Sequence, residues 1–105
     1  MKITKYDKLV RDNIPQVLDD KGIKSVIHTA DANEYGARLI AKLREEVEEF
    51  SIEVNEEEMA DIMEVLNAIM LEKGFSKEGI EEIRKRKLSE RGGFTKRIIL
   101  EQTEE

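Results

Sequence analysis

The chain contains no cysteine and no tryptophan, a single proline, a single histidine and only 5% aromatic residues. Without cysteine, neither a disulfide scaffold nor a thiolate zinc site is available, whatever the compartment. So few aromatics and one proline suit a helical protein rich in Glu, Lys, Leu and Ile better than a β-sandwich or barrel. No run of about 18 apolar residues exists to cross a membrane. The opening segment Met1-Lys-Ile-Thr-Lys-Tyr-Asp-Lys8 also lacks the hydrophobic stretch of a signal peptide. A cytoplasmic protein is the expectation. An excess of positive charge is missing too. The net charge of −6 argues against general nucleic-acid binding.

What is present is charge: 40% of the 105 residues are Asp, Glu, Lys or Arg. That length suits one domain, which buries roughly two-thirds of its unfolded surface if it folds alone. A thin core and four methionines point to a homodimer or higher homo-oligomer, because partner helices cover what one chain does not. Charge is also unevenly placed. Residues 45–58 hold eight glutamates and no cation. Residues 84–97 hold Arg84, Lys85, Arg86, Lys87, Arg91, Lys96 and Arg97 against Glu90 alone. Two readings stand for this distribution. One is an acidic cluster for a metal with a basic cluster for phosphates; the other is charge blocks on solvated helix faces.

The pattern predicts an all-α four-helix bundle with a minor β ribbon. Asp12 is positioned to cap a first short helix, with Pro15 in its opening turn and Gly22 as its stop. Lys24–Thr29 reads as a short strand. Asp31-Ala-Asn-Glu34 resembles a capping box and opens a long helix to about Val54. Asn55 caps a third helix that ends at Gly74, and Ser76 caps a fourth that runs to about Arg91. Gly92-Gly93 breaks the fourth helix, and residues 94–100 read as a strand that pairs with 24–29.

Helical phase then sorts the acids. On the long helix, Leu39, Ile40, Leu43, Val47, Phe50 and Val54 fall within about 60° of Leu43 on either side. Glu46 lies about 60° from that centre and Glu49 about 120°, on the same flank, whereas Glu45 and Glu48 project toward solvent. On the third helix Glu58 and Asp61 are three apart and share a strip with Val65 and Ala68. Its main apolar row is Met59, Ile62, Met63, Leu66, Ile69 and Met70. The connection between the helices is so short that they must pack antiparallel, which brings two i, i+3 carboxylate pairs together near the turn. A hard divalent cation accepts several such oxygens at once. Other readings remain at three positions: Glu58 is also the N3 residue of a cap at Asn55, and Glu45 and Glu49 also suit ordinary surface charge. Asp61, mid-helix among apolar neighbours, is harder to explain without a partner.

Glu45-Glu46-x-x-Glu49 followed by Glu58-x-x-Asp61 resembles the EExxE…ExxD signature of the MazG-like all-α nucleoside triphosphate pyrophosphohydrolases. That superfamily includes phosphoribosyl-ATP pyrophosphohydrolase and the dimeric dUTPases. Lys8-Leu-Val-Arg-Asp12-Asn-Ile-Pro15 is similar to the KLVRDxIP opening of one branch, and Arg91-Gly-Gly-Phe94 fits that branch too. The similarity extends over nearly the whole chain. One departure is the gap of eight residues between Glu49 and Glu58, shorter than in many relatives, which bears on the substrate pocket more than on the metal.

The resemblance implies a Mg²⁺ site, with Mn²⁺ as a substitute, held by Glu46, Glu49, Glu58 and Asp61. It implies hydrolysis of a nucleoside triphosphate to a monophosphate and pyrophosphate, of the house-cleaning type. Glu45 or Glu49 is the candidate acceptor of the attacking water's proton. Lys8, Arg11 and Arg91 are the first candidates to hold phosphate, followed by Lys85 and Lys96. Arg11 and Asp12 also suit a helix cap or an ion pair, and Gly92-Gly93 a plain helix stop. Glu64 and Asn67 suit either a pocket lining or a subunit interface, His28 a structural role, and Tyr35 and Phe94 either base stacking or packing. Two alternatives stand beside this function: action on phosphoribosyl-ATP, and a non-enzymatic helical interaction module.

Overall fold

The computed structural model describes residues 2–105, and these form four α-helices with no strand: α1 (Ile14–Asp20), α2 (Ala32–Ile52), α3 (Glu56–Lys73) and α4 (Lys77–Arg91). The all-α expectation holds at this level. The chain divides into two compact units, Met1–Lys73 and Gly74–Glu105.

In the first unit, α1 starts one residue later than an Asp12 cap requires. Asn13 occupies the N-cap position in a helical conformation and makes no capping bond with its side chain. Pro15 sits in the opening turn, where its missing N–H costs nothing. The C-terminus closes as the sequence implies: the Gly22 N–H donates to the Asp19 carbonyl and the Ile23 N–H to the Leu18 carbonyl. Gly22 adopts φ 73°, the left-handed backbone this closure needs.

The long hairpin is set by its caps. The Asp31 side chain accepts from the Glu34 N–H at 2.9 Å and starts α2; the Asn55 Oδ1 accepts from the Glu58 N–H at 2.9 Å and starts α3. Only residues 53–55 separate the two helices, and α2 packs on α3. The packed line differs from the one the apolar pattern centred on Leu43. Leu39 (3% exposed) and Glu46 (7%) lie at its middle on α2, and Val65 answers from α3. Val47 and Val54, expected in the core stripe, are exposed, as are Met59, Met63 and Leu66 from the expected main row of α3. The reason is rotational. Packing the strip of Glu58, Asp61, Val65 and Ala68 toward α2 turns Met59, Met63 and Leu66 about 150° away from it, while Ile62, Ile69 and Met70 of the same row stay half-buried.

The β ribbon is not formed. Residues 24–29 lie in no strand and make no ladder bonds, and Val26 is 98% exposed. Two short strands without further partners are marginal in water, and six residues of mixed polarity offer no buried face to compensate.

In the second unit, Ser76 Oγ accepts from the Gly79 N–H at 3.0 Å and opens α4, while Gly92 at φ 81° ends it. No residue of α4 is buried. The 94–100 segment begins with a turn, the Arg97 N–H donating to the Phe94 carbonyl, and Arg97 itself has φ 58°. A residue in that left-handed region does not continue a strand. Among the described residues no helix is long and apolar enough to cross a membrane.

Candidate metal centre

Glu46 lies seven residues after Leu39, two helical turns along the same face, so the residue that extends the packed line of α2 is a carboxylate. Opposite it, Glu58 opens α3 and Asp61 follows one turn later. Glu46, Glu58 and Asp61 each bring one carboxylate oxygen within 4.8 Å of the other two. A cation that binds oxygens at about 2.0–2.6 Å spans oxygens up to roughly 4–5 Å apart, so three oxygens this close are within reach of one divalent ion.

Two of the acids are short of partners. Glu46 Oε2 and Glu58 Oε2 are both shut off from solvent and make no hydrogen bond. Glu58 spends its backbone N–H on the Asn55 cap, while its carboxylate does not reach back to complete a capping box. Glu46 Oε1 lies 3.4 Å from Lys42 Nζ. That contact does not offset the site. Burial, then the charge of Glu49, then that of Asp61, hold the Glu46 carboxyl above the usual glutamate range despite Lys42. Burial, together with Glu49, Asp61 and Glu46, does the same to Glu58. Glu46, about nine-tenths buried, thus keeps one oxygen without a partner beside two further carboxylates, an arrangement that one cation on Oε1 does not satisfy.

Glu49 is exposed and is not one of the three converging acids, although its charge reaches both Glu46 and Glu58. Glu45 departs from the solvent-facing position that helical phase assigned to it. Lys8 Nζ donates to its Oε1 at 2.9 Å and Lys42 Nζ to its Oε2 at 3.3 Å. Lys8 holds the Glu45 carboxyl below its usual range, with Lys42 helping, and Glu45 in turn raises Lys8. Arg11 Nη2 donates to Asp61 Oδ1 at 2.8 Å. Lys8 and Arg11 are thus brought to the acidic cluster from 37 and 50 residues away in sequence.

The remaining candidates are distributed differently. Lys85, Arg91 and Lys96 belong to residues 74–105, are exposed, and make no salt bridge among the described residues. Glu64 is exposed and Asn67 half-buried, with no hydrogen bond joining them. His28 Nε2 contacts both carboxylate oxygens of Glu34 at 3.0 Å, a structural pairing that also lowers the Glu34 carboxyl, with Arg38 contributing. Tyr35 is half-buried and Phe94 is 97% exposed.

Lys42, and the pair of Arg38 and Asp7, were not singled out from the sequence. Lys42 sits three and four residues before Glu45 and Glu46, a spacing that places it beside both. Arg38 donates from Nη1 to the Asp7 carbonyl at 2.7 Å and from Nη2 to its carboxylate at 3.0 Å. That contact is 31 residues long, and no local spacing announces it.

No protein-family model matches the chain, and neither the curated proteins nor the solved structures contain a match.

Proposed function

We propose that this chain is a divalent-metal-dependent nucleotide pyrophosphohydrolase. It cleaves a nucleoside triphosphate between the α and β phosphates, giving a nucleoside monophosphate and pyrophosphate. The observation that carries the reading is the convergence of Glu46, Glu58 and Asp61 with two partnerless, solvent-excluded oxygens. The MazG-like EExxE…ExxD spacing supports it independently. These three carboxylates would hold Mg²⁺, or Mn²⁺ in its place, with Glu49 beside them but outside the converging set. A bound ion supplies charge neutralisation on the phosphate oxygens and on the leaving pyrophosphate.

The chain's own side chains do the rest. Glu49 is the better of the two candidate bases. Glu45 is tied to Lys8 and Lys42 and its carboxyl is kept acidic, which weakens it as a proton acceptor, whereas Glu49 is exposed and in no ion pair. Water adds its oxygen to phosphorus, its proton goes to Glu49, and the bond to the bridging oxygen breaks with its electron pair leaving on pyrophosphate. Lys8 and Arg11 supply positive charge to the phosphates from beside the acids.

The exposed row of Val47, Val54, Met59, Met63 and Leu66 favours a homodimer or higher homo-oligomer. The same row is what a non-enzymatic helical interaction module would use, and this is the second reading. Pyrophosphate release from a panel of normal and damaged nucleotides, with phosphoribosyl-ATP included, decides between them. The enzyme reading expects release with Mg²⁺ or Mn²⁺ that is lost in Glu46→Gln and Asp61→Asn. A silent panel leaves the module.

A further inference from the structure

The segment that carries Lys8 and Arg11 is held to the helices by contacts that solvent reaches. Asp7, itself largely exposed, accepts from both terminal nitrogens of Arg38, through its carbonyl and its carboxylate. Its backbone lies at φ 47°, a region that Asp tolerates better than most residues. Lys8 and Arg11 each rest on one ion pair, to Glu45 and Asp61. Such pairs exchange easily, because solvent competes for both charges.

These pairs also divide the acidic cluster. Asp61 has Arg11 as its counter-ion, while Glu58 has none and Glu46 keeps an orphaned oxygen. A divalent ion that fits the three oxygens must share Asp61 with Arg11. A guanidinium beside a divalent ion is repelled, and its carboxylate is weakened as an acceptor. The freed cation remains on a short tether from Asp7, next to where metal-held phosphates would lie.

We propose that Arg11 is a built-in competitor of the metal ion for Asp61, and that metal binding releases Arg11, with Lys8 beside it, to receive the substrate's phosphates. This inference rests on the metal-centre reading above. Arg11 acts here as a positioning residue, whose partner changes from carboxylate to phosphate.

The test is calorimetric titration of the full chain with MgCl₂ alone, comparing wild type, Arg11→Gln and Arg11→Lys. Hydrogen exchange of residues 8–12 in the wild type, with and without Mg²⁺, provides a readout that needs no variant. Removing an exposed competitor should tighten Mg²⁺ binding by about two- to fivefold in Arg11→Gln, with Arg11→Lys close to wild type. Residues 8–12 should exchange faster once Mg²⁺ is bound. Equal or weaker binding in Arg11→Gln, or exchange unchanged by Mg²⁺, overturns the proposal while the metal centre survives. No binding in any of the three proteins overturns the metal centre, and the competition with it.

Discussion

Replacing Glu46 with glutamine keeps the shape of the side chain and removes one charge from the cluster. In the absence of metal, the surroundings of Glu46 disfavour its ionised form even with Lys42 at 3.4 Å. The neutral amide is therefore the better occupant, and the metal-free midpoint of Glu46→Gln should rise, by about 4–8 °C for each kcal/mol of repulsion relieved. With metal the order reverses. At ten times its dissociation constant, a ligand that binds only the folded chain stabilises it by about 1.4 kcal/mol. For a domain of this size that is roughly 6–11 °C. Wild type should show this shift and Glu46→Gln should show almost none. Thermal melting followed by far-ultraviolet circular dichroism measures both, since the chain has no tryptophan to report by fluorescence. A variant that melts lower than wild type without metal, yet keeps the full Mg²⁺ shift, would refute both the electrostatic reasoning and the ligand assignment.

Three further outcomes are expected. The metal-free chain should show a pH term from Glu46 and Glu58, whose folded carboxyls sit above the ordinary value of 4.5. Their contribution to stability is present below that value and is lost as pH rises through the raised folded values; Mg²⁺ affinity should climb over the same interval as the ligands ionise. Melting of wild type against Glu46→Gln across that range isolates the term from Glu34 and Glu45, which are lowered and act with the opposite sign. Asn55→Ala removes the bond to the Glu58 N–H and should cost about 1 kcal/mol, read as a midpoint lower by about 4–8 °C. Met63→Asp places a charge on a side chain that is 63% exposed, so it should leave helicity intact while lowering the mass observed by sedimentation equilibrium. Unchanged mass would remove the methionine row from any subunit interface.

Much of the hairpin was legible because its signals are local. Asp31, Asn55 and Ser76 each cap the helix that their spacing to the next acidic or glycine residue implied, and Gly22 and Gly92 stop helices where only an open backbone suffices. The i, i+3 spacing of Glu58 and Asp61 was enough to place both on one strip of α3. What local pattern does not fix is the rotation of each helix about its axis. Hydrophobic phase favoured Leu43 and the methionine row as the packed faces, and the charged strip won instead. Phase alone likewise left Glu45 in solvent, because its partner Lys8 lies 37 residues away. The expected strands failed for a related reason: an extended segment becomes a strand only through a neighbour, and residues 24–29 have none among the described residues.

The span of the contacts around the acidic cluster also orders its assembly in time. Glu46 and Asp61 are separated by a three-residue connection and about one and a half helical turns on either side, so their meeting closes a small loop. Contacts of such short span form on the fast side of folding, whereas the Lys8–Glu45 and Arg11–Asp61 contacts, across 37 and 50 residues, close much longer loops. Loop closure therefore favours convergence of the carboxylates first, with Lys8 and Arg11 joining a hairpin already formed.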